Sequence, residues 1–266
     1  MAKHPKKEHR KNTPSPPAPE AVAQPSETPA QSAAATLPDL LSVRWLPELL
    51  LVVAAALVYG ASLSNEFVFF DDDKAILYNR ALQNPSLMKF FTGQNLGMYA
   101  PLSWMAYWVG SLISGKEAYG YHLLSLCFHT ISAILVWSIL HRLTGRRWIA
   151  FFCALLFAVH PVQVEAVGWA AALSTALFAV FYLASWRSYI AHVQSPGGGW
   201  GWLILSFLLF AASVLSKSAG VTLPLLLIAT DYLFFRDRAV ALLKNKVFYL
   251  ALALWFGYKT FLTRAA

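Results

Sequence analysis

"YGYHLLSLCFHTISAILVWSIL", residues 119–140, decides how the rest of the chain is read. It holds no Lys, Arg, Asp or Glu. A helix needs about 20 such residues to cross the hydrocarbon core of a bilayer. Its polar side chains, His122, Ser125 and His129, are spaced to share one side of a helix. Polar groups within a span turn toward the bundle interior or a wet cavity. The plain reading of the two histidines is hydrogen bonding between helices; the sharper one is a place at a substrate site.

The composition extends that reading to the whole chain. Of 266 residues, 58% are hydrophobic and 13% charged. A water-soluble domain is usually about a quarter charged, so a soluble fold would lack the polar side chains to cover its surface. The formal charge of +8 is concentrated at the N-terminus and in short loops, which suggests membrane orientation and not nucleic-acid binding. Cys127 and Cys153 lie inside apolar runs, in no metal or redox spacing, and read as buried small hydrophobes.

Residues 1–43 are basic, then rich in Pro, Ala, Ser and Thr, and read as a disordered cytoplasmic tail. No apolar run follows the basic residues closely enough for a signal peptide. Residues 44–266 read as an all-α, polytopic bundle of about seven spans: 46–64, 119–140, 148–161, 169–186, 202–216, 221–235 and 247–262. The long polar loop 65–118 contains "PLSWMAYWVGSLIS" (101–114), too short for a span and read as an interfacial or re-entrant helix. With the N-terminus in the cytoplasm, Arg142, Arg146, Arg147, Arg187, Arg236, Arg238, Lys244 and Lys246 all fall inside, as the positive-inside rule requires. The long loop then faces the periplasm or a lumen. The chain ends just after the last span, and the membrane part is expected to be incomplete at its C-terminus.

The chemistry-bearing residues gather on that outer side. In "FVFFDDDKAILYN" (67–79), an extended backbone would put Asp71 and Asp73 on one face. The bland reading of the triplet is a helix N-cap; the functional one is a general base or a ligand for a divalent cation. "HPVQVEAVGW" (160–169) brings His160 and Glu165 to the outer end of the third span, where His160–Pro161 is also a natural helix stop. Lys217, in "LSKSAGVTLP" (215–224), either snorkels to headgroups or meets a lipid-linked phosphate. Asp231 reads as structural, facing the inner interface near Arg236 and Arg238.

Together, "FVFFDDDKAILYN", "YAPLSW", "YHLLSLCFH", "LLFAVHPVQVEAVGW" and "LSKSAGVTLPLLLIATDY" occur in an order that resembles the polytopic GT-C glycosyltransferases with C-terminal tetratricopeptide repeats. These are the transmembrane O-mannosyltransferases and their bacterial relatives, and the resemblance covers about residues 44–240. It implies a sugar donor on polyprenyl phosphate, mannose or another hexose, and a hydroxyl acceptor on a protein or glycan. It also implies a site facing the periplasm or lumen, in a bacterial inner membrane. By motif the base falls within Asp71–Asp73, with Asp72 the first choice, and His160, Glu165 and Lys217 shape the substrate pocket, with His122 and His129 nearby. The chain departs from the family pattern at Ala100, where relatives carry Arg, and at Ser125, where they carry Asn. It also has Leu173, Ser174 and Thr175 where relatives have Arg, a spacer and Asp. A competing expectation is a non-catalytic scaffold or remnant of the same family. A transporter is the third, disfavoured because the charges gather at span ends.

Overall fold

The computed structural model describes residues 45–93 and 99–265, the side chains of 263–265 excepted. The tail 1–43 lies outside the described residues. Every regular element among the described residues is helical. The first is α1 (Leu46–Tyr59), drawn out by a 3₁₀ turn through Ser64. Two short helices follow in the long loop, α2 (Arg80–Gln83) and α3 (Leu87–Thr92). Next come α4 (Pro101–Ser114), α5 (Tyr119–Thr144), α6 (Arg147–Val159) and the single-turn α7 (Val164–Gly168). The rest are α8 (Leu173–Gln194), α9 (Trp200–Ser216), α10 (Leu223–Phe234), the short α11 (Ala239–Leu242) and α12 (Val247–Ala265).

Helix stops follow local chemistry. Gly145 ends α5 in the left-handed conformation, φ +65°, which costs an ordinary side chain but not glycine. Pro161 forces His160 into an extended conformation (φ −68°, ψ 131°), since the residue before a proline is kept out of the helical region. Helix α6 therefore breaks there, and the chain resumes after a bend of 48°.

The expected count of seven spans is not matched in full by helix length. Four stretches are long and apolar enough to cross a membrane, Leu46–Ser64, Tyr119–Thr144, Ala170–Gln194 and Arg236–Leu262, and the bent pair Arg147–Val159 and Pro161–Gly168 could make a fifth. Trp200–Ser216 and Ser218–Phe234 are apolar but shorter than that. At 1.5 Å per residue, 17 helical residues reach about 26 Å, short of a core of about 30 Å. Helices of this length and composition mark the chain as an integral membrane protein.

Helix α5 is the centre, packed by α1, α4, α6 and α8, and α9 lies against α8. Small residues permit the close contacts. A Cβ on Gly110 would come within 2.7 Å of the Tyr121 ring, and one on Gly120 within 2.7 Å of the Gly110 carbonyl, so α4 is seated directly on α5. Between α8 and α9, Ser185 donates to the Ser206 carbonyl at 2.7 Å and Ser206 donates back to the Ser185 carbonyl at 2.8 Å. Such reciprocal bonds suit a medium that offers no water. One aromatic core joins Tyr189, Phe210, Leu223, Tyr249 and Phe256 from α8, α9, α10 and α12. A second packs Ala75 and Ile76 of the loop against Tyr107, Tyr121 and Leu173.

Outward faces carry large apolar residues, Leu57, Phe152, Leu208 and Leu254 among them, as a lipid-facing surface should. Cys127 and Cys153 are exposed and not buried as expected; in an apolar solvent a thiol needs no burial. Asp231 corrects a further expectation. Its partner is not Arg236 or Arg238 but Lys246, buried with it and hydrogen-bonded to both Asp231 and Tyr189. Arg236 instead lies over the Tyr232 ring.

Candidate functional site

Alternating helices bring their chemistry-bearing ends together. The end of α1 is tied to the end of α6 by Tyr59, whose hydroxyl donates to the His160 carbonyl at 2.6 Å. Ser103, at the start of α4, donates to the Ser216 carbonyl at the end of α9, also at 2.6 Å. Tyr107, one turn further, donates to the Ala171 carbonyl at 2.6 Å. Burial is the main reason the Tyr107 phenol is pushed up to about 12, so it remains a neutral donor at physiological pH.

A cavity of about 140 Å³ lies among these ends. Asp71 lines it from the long loop, Glu165 and Trp169 from the turn between α6 and α8, and Ser174 and Thr175 from the first turn of α8. Lys217 enters from the end of α9, Tyr99 from the start of α4, and Thr260 from α12. Three of the eight residues singled out from the sequence, Asp71, Glu165 and Lys217, therefore share one cavity although they lie far apart in the chain.

Lys217 is the cation of the site. Its Nζ donates to the Thr175 hydroxyl at 2.6 Å. Burial lowers its ammonium below the usual lysine range, and the Glu165 carboxylate pulls it partway back. Thr175, which holds this lysine, is a neutral partner.

The aspartate triplet is not extended. Asp72 has helical dihedrals (φ −62°, ψ −34°) and opens a single π-type turn, Asp73–Leu77, so Asp71 and Asp73 do not share a face as alternation would have it. Asp72, the first choice as base, is 1% exposed. Its Oδ2 accepts from the Val68 amide at 2.9 Å and its Oδ1 from the Ala171 amide at 2.7 Å. It pins the loop to the turn that carries Trp169 and Ala171. Asp73 accepts from the Lys74 amide at 2.8 Å. The cap expected of the triplet is supplied elsewhere, by Asn79, whose side chain accepts from the Ala81 amide at 3.0 Å.

The histidines lie away from the cavity lining. His129 bonds the Ala158 carbonyl at 2.9 Å and stacks on Phe157 with ring centroids 5.4 Å apart. It ties α5 to α6, the plain reading of a polar residue in a span. His160 is exposed, and its Nδ1 accepts from the Val162 amide at 3.1 Å, capping the turn after the helix break. His122 is fully buried on α5. Among the described residues no three His, Cys, Asp or Glu side chains converge as metal ligands.

Sequence reasoning missed Ser103, Tyr107, Tyr99 and Thr260. The tyrosines carried a signal in hindsight, since a phenol in an apolar membrane helix requires a partner for its hydroxyl. Thr260 carried none, because α12 lay beyond the motifs.

An all-helical membrane bundle with carboxylates and a lysine around a cavity at one end defines a polytopic membrane protein with an acid–cation site. The chain belongs to the family described as dolichyl-phosphate-mannose-protein mannosyltransferase, whose model matches residues 100–258. It is 31% identical over 186 residues to mouse protein O-mannosyl-transferase TMTC3, covering 65% of this chain and 20% of that protein. It is 32% identical over 184 residues to fruit-fly protein O-mannosyl-transferase Tmtc1, covering 65% of this chain and 21% of that protein. A frog relative, protein O-mannosyl-transferase tmtc2, is 26% identical over 241 residues, or 83% of this chain and 29% of its own length. The chain thus spans about a fifth to under a third of the curated relatives it matches. No solved structure matches it.

Proposed function

We propose that this chain is the membrane-embedded transfer domain of a protein O-mannosyltransferase. In this reading it moves mannose, or another hexose, from a polyprenyl-phosphate donor to a hydroxyl acceptor on a protein or glycan. The observation that carries the reading is the convergence of Asp71, Glu165 and Lys217 on one cavity at the loop-bearing end of the bundle. Relatives named for protein O-mannosyl transfer support the sugar and the acceptor class.

The chemistry follows from those groups. Asp71 takes the proton of the acceptor hydroxyl as its oxygen attacks the anomeric carbon from the face opposite the phosphate. The bond from that carbon to the phosphate oxygen breaks, and the electron pair leaves on the lipid phosphate. A phosphate is a good leaving group and needs charge stabilisation more than a general acid. Lys217 supplies that stabilisation, and Glu165 keeps it positive by charge. Asp72 acts one step removed, holding the Asp71 loop against the Ala171 turn. The site faces the periplasm or lumen of what we take to be a bacterial inner membrane, with the N-terminal tail 1–43 in the cytoplasm and 44–266 as the membrane domain.

The test is transfer by the chain reconstituted with a polyprenyl-phosphate mannose and an acceptor peptide. Asp71→Asn is expected to lower kcat by roughly 10²–10⁴-fold, the contribution of a positioned base, with donor KM little changed. Equal activity of Asp71→Asn and the parent removes Asp71 as the base. A second reading, a non-catalytic family member, is favoured by Ala100 and Thr175, where the family pattern carries Arg and Asp. It predicts no transfer from any polyprenyl-phosphate hexose.

A further inference from the structure

Helix α12, none of whose residues stand in the motifs singled out from the sequence, reaches the cavity. Thr260 lines it directly. The Lys259 Nζ sits 3.9 Å from the centroid of the Tyr99 ring and 5.3 Å from that of Trp255. Phe256 packs on the same tyrosine, ring centroids 6.1 Å apart, and is itself buried in the core shared by α8, α9 and α10. Tyr99 lines the cavity immediately before α4. Its ring is thus gripped by a cation and an aromatic residue one helical position-set apart, Phe256 and Lys259, three residues along α12. An ammonium over an aromatic face is attracted by the ring quadrupole, more strongly where water is scarce.

We infer that Lys259 is a positioning residue of the transfer site, fixing Tyr99 as one wall of the cavity that takes the phosphate-linked sugar. This rests on the proposed function for the identity of the substrate, but not for the contact. Tyr99 lies two residues before α4 and so outside its hydrogen-bonded turns. Lys259 and Phe256 supply that hold from the far end of the chain. The position of Lys259 also adds positive charge behind the wall of a cavity whose other cation is Lys217, which favours an anionic donor.

The experiment uses the 266-residue chain in proteoliposomes, with Lys259→Met, Lys259→Arg, Tyr99→Ala and the double variant Tyr99→Ala/Lys259→Met. Lys259→Met keeps the aliphatic stem and is expected to raise the KM for polyprenyl-phosphate mannose about tenfold, with kcat within about twofold. Lys259→Arg restores the parent KM, because a guanidinium also stacks on a ring. Tyr99→Ala reproduces the Lys259→Met effect, and the double variant is no worse than either, since the two act through one contact. An unchanged KM in Lys259→Met, or losses that multiply in the double variant, overturns the inference. A fluorinated tyrosine at position 99 gives a readout independent of turnover: Lys259→Met should shift or sharpen its ¹⁹F line, and an unmoved line also overturns it. If the parent transfers no sugar while the line moves, the functional reading fails and the contact stands.

Discussion

Both oxygens of Asp72 are committed to backbone amides. Turning either toward a substrate hydroxyl would give up a hydrogen bond to a charged group, worth about 1.5–3 kcal/mol. That commitment separates Asp72 from Asp71, which is half-buried at the cavity. The sequence made the triplet conspicuous but could not rank its members, because the ranking depends on an amide 99 residues away, that of Ala171. Lys217 was legible as a cation at a span end, whereas its partner was not, since Thr175 reads as an ordinary helix residue. The lysine yields a prediction in pH. Its ammonium is held below the usual lysine range, chiefly by burial. The charged form is lost as pH rises through that lowered value. If Lys217 meets the donor phosphate, kcat/KM for the donor should fall on an alkaline limb lying below the ordinary lysine value of about 10.4. Lys217→Arg keeps its charge across that range and should push the limb upward. An identical alkaline limb in the two proteins would sink the assignment.

At the scale of elements, α10 and the turn leading into α12 are joined by a charge pair that lies deep in the core. Lys246, 0% exposed, meets Asp231, 2% exposed, and both reach the Tyr189 hydroxyl. The Lys246 ammonium also sits 4.4 Å from the Tyr189 ring centroid, so α8 takes part too. Asp231 was read as structural from its place in an apolar run, and that reading agrees with its surroundings. Its partner was misjudged because proximity in sequence favoured Arg236 and Arg238, while the turn Leu243–Lys246 folds the chain back over α10. Removing one member leaves the other charged and buried. Asp231→Asn or Lys246→Met should each destabilise the bundle by on the order of 3–5 kcal/mol, read as a lower midpoint of thermal unfolding in micelles. The pair Asp231→Leu with Lys246→Met should regain most of that loss, since apolar replacements leave no charge uncompensated. No recovery in the double variant would mean that the pair does more than cancel its own burial. Because Phe256 and Lys259 lie further along α12, the single variants should also weaken donor binding, by loosening the helix that grips Tyr99.

For the whole molecule, seven spans are expected from the sequence and four or five stretches are long and apolar enough to cross a membrane, while Trp200–Ser216 and Ser218–Phe234 lie where the expected fifth and sixth spans fall. Side-chain hydrogen bonds join helix ends in two groups. Tyr59 meets His160, Ser103 meets Ser216 and Lys217 meets Thr175 at the cavity end. Arg142 meets Gln194 and His192 meets Asn245 at the other. Charge and turn signals carried that order in the sequence, and the helix breaks at His160–Pro161 and after Ser216 fall where the expected third and fifth spans end. The sidedness we propose depends on the order and not on the lengths. The end opposite the cavity exposes Arg142, Arg146, Arg236, Arg238 and Lys244, while Lys246 is withdrawn into its pair with Asp231. An excess of Lys and Arg of that kind keeps loops in the cytoplasm. Single cysteines placed at Lys116, beside the cavity end, and at Arg238, at the other, should therefore differ in sealed, right-side-out cells. With Cys127 and Cys153 replaced by Ala, a membrane-impermeant maleimide should label position 116 from outside and reach position 238 only after the cells are opened. The reverse pattern would invert the protein in its membrane and put the cavity on the cytoplasmic side.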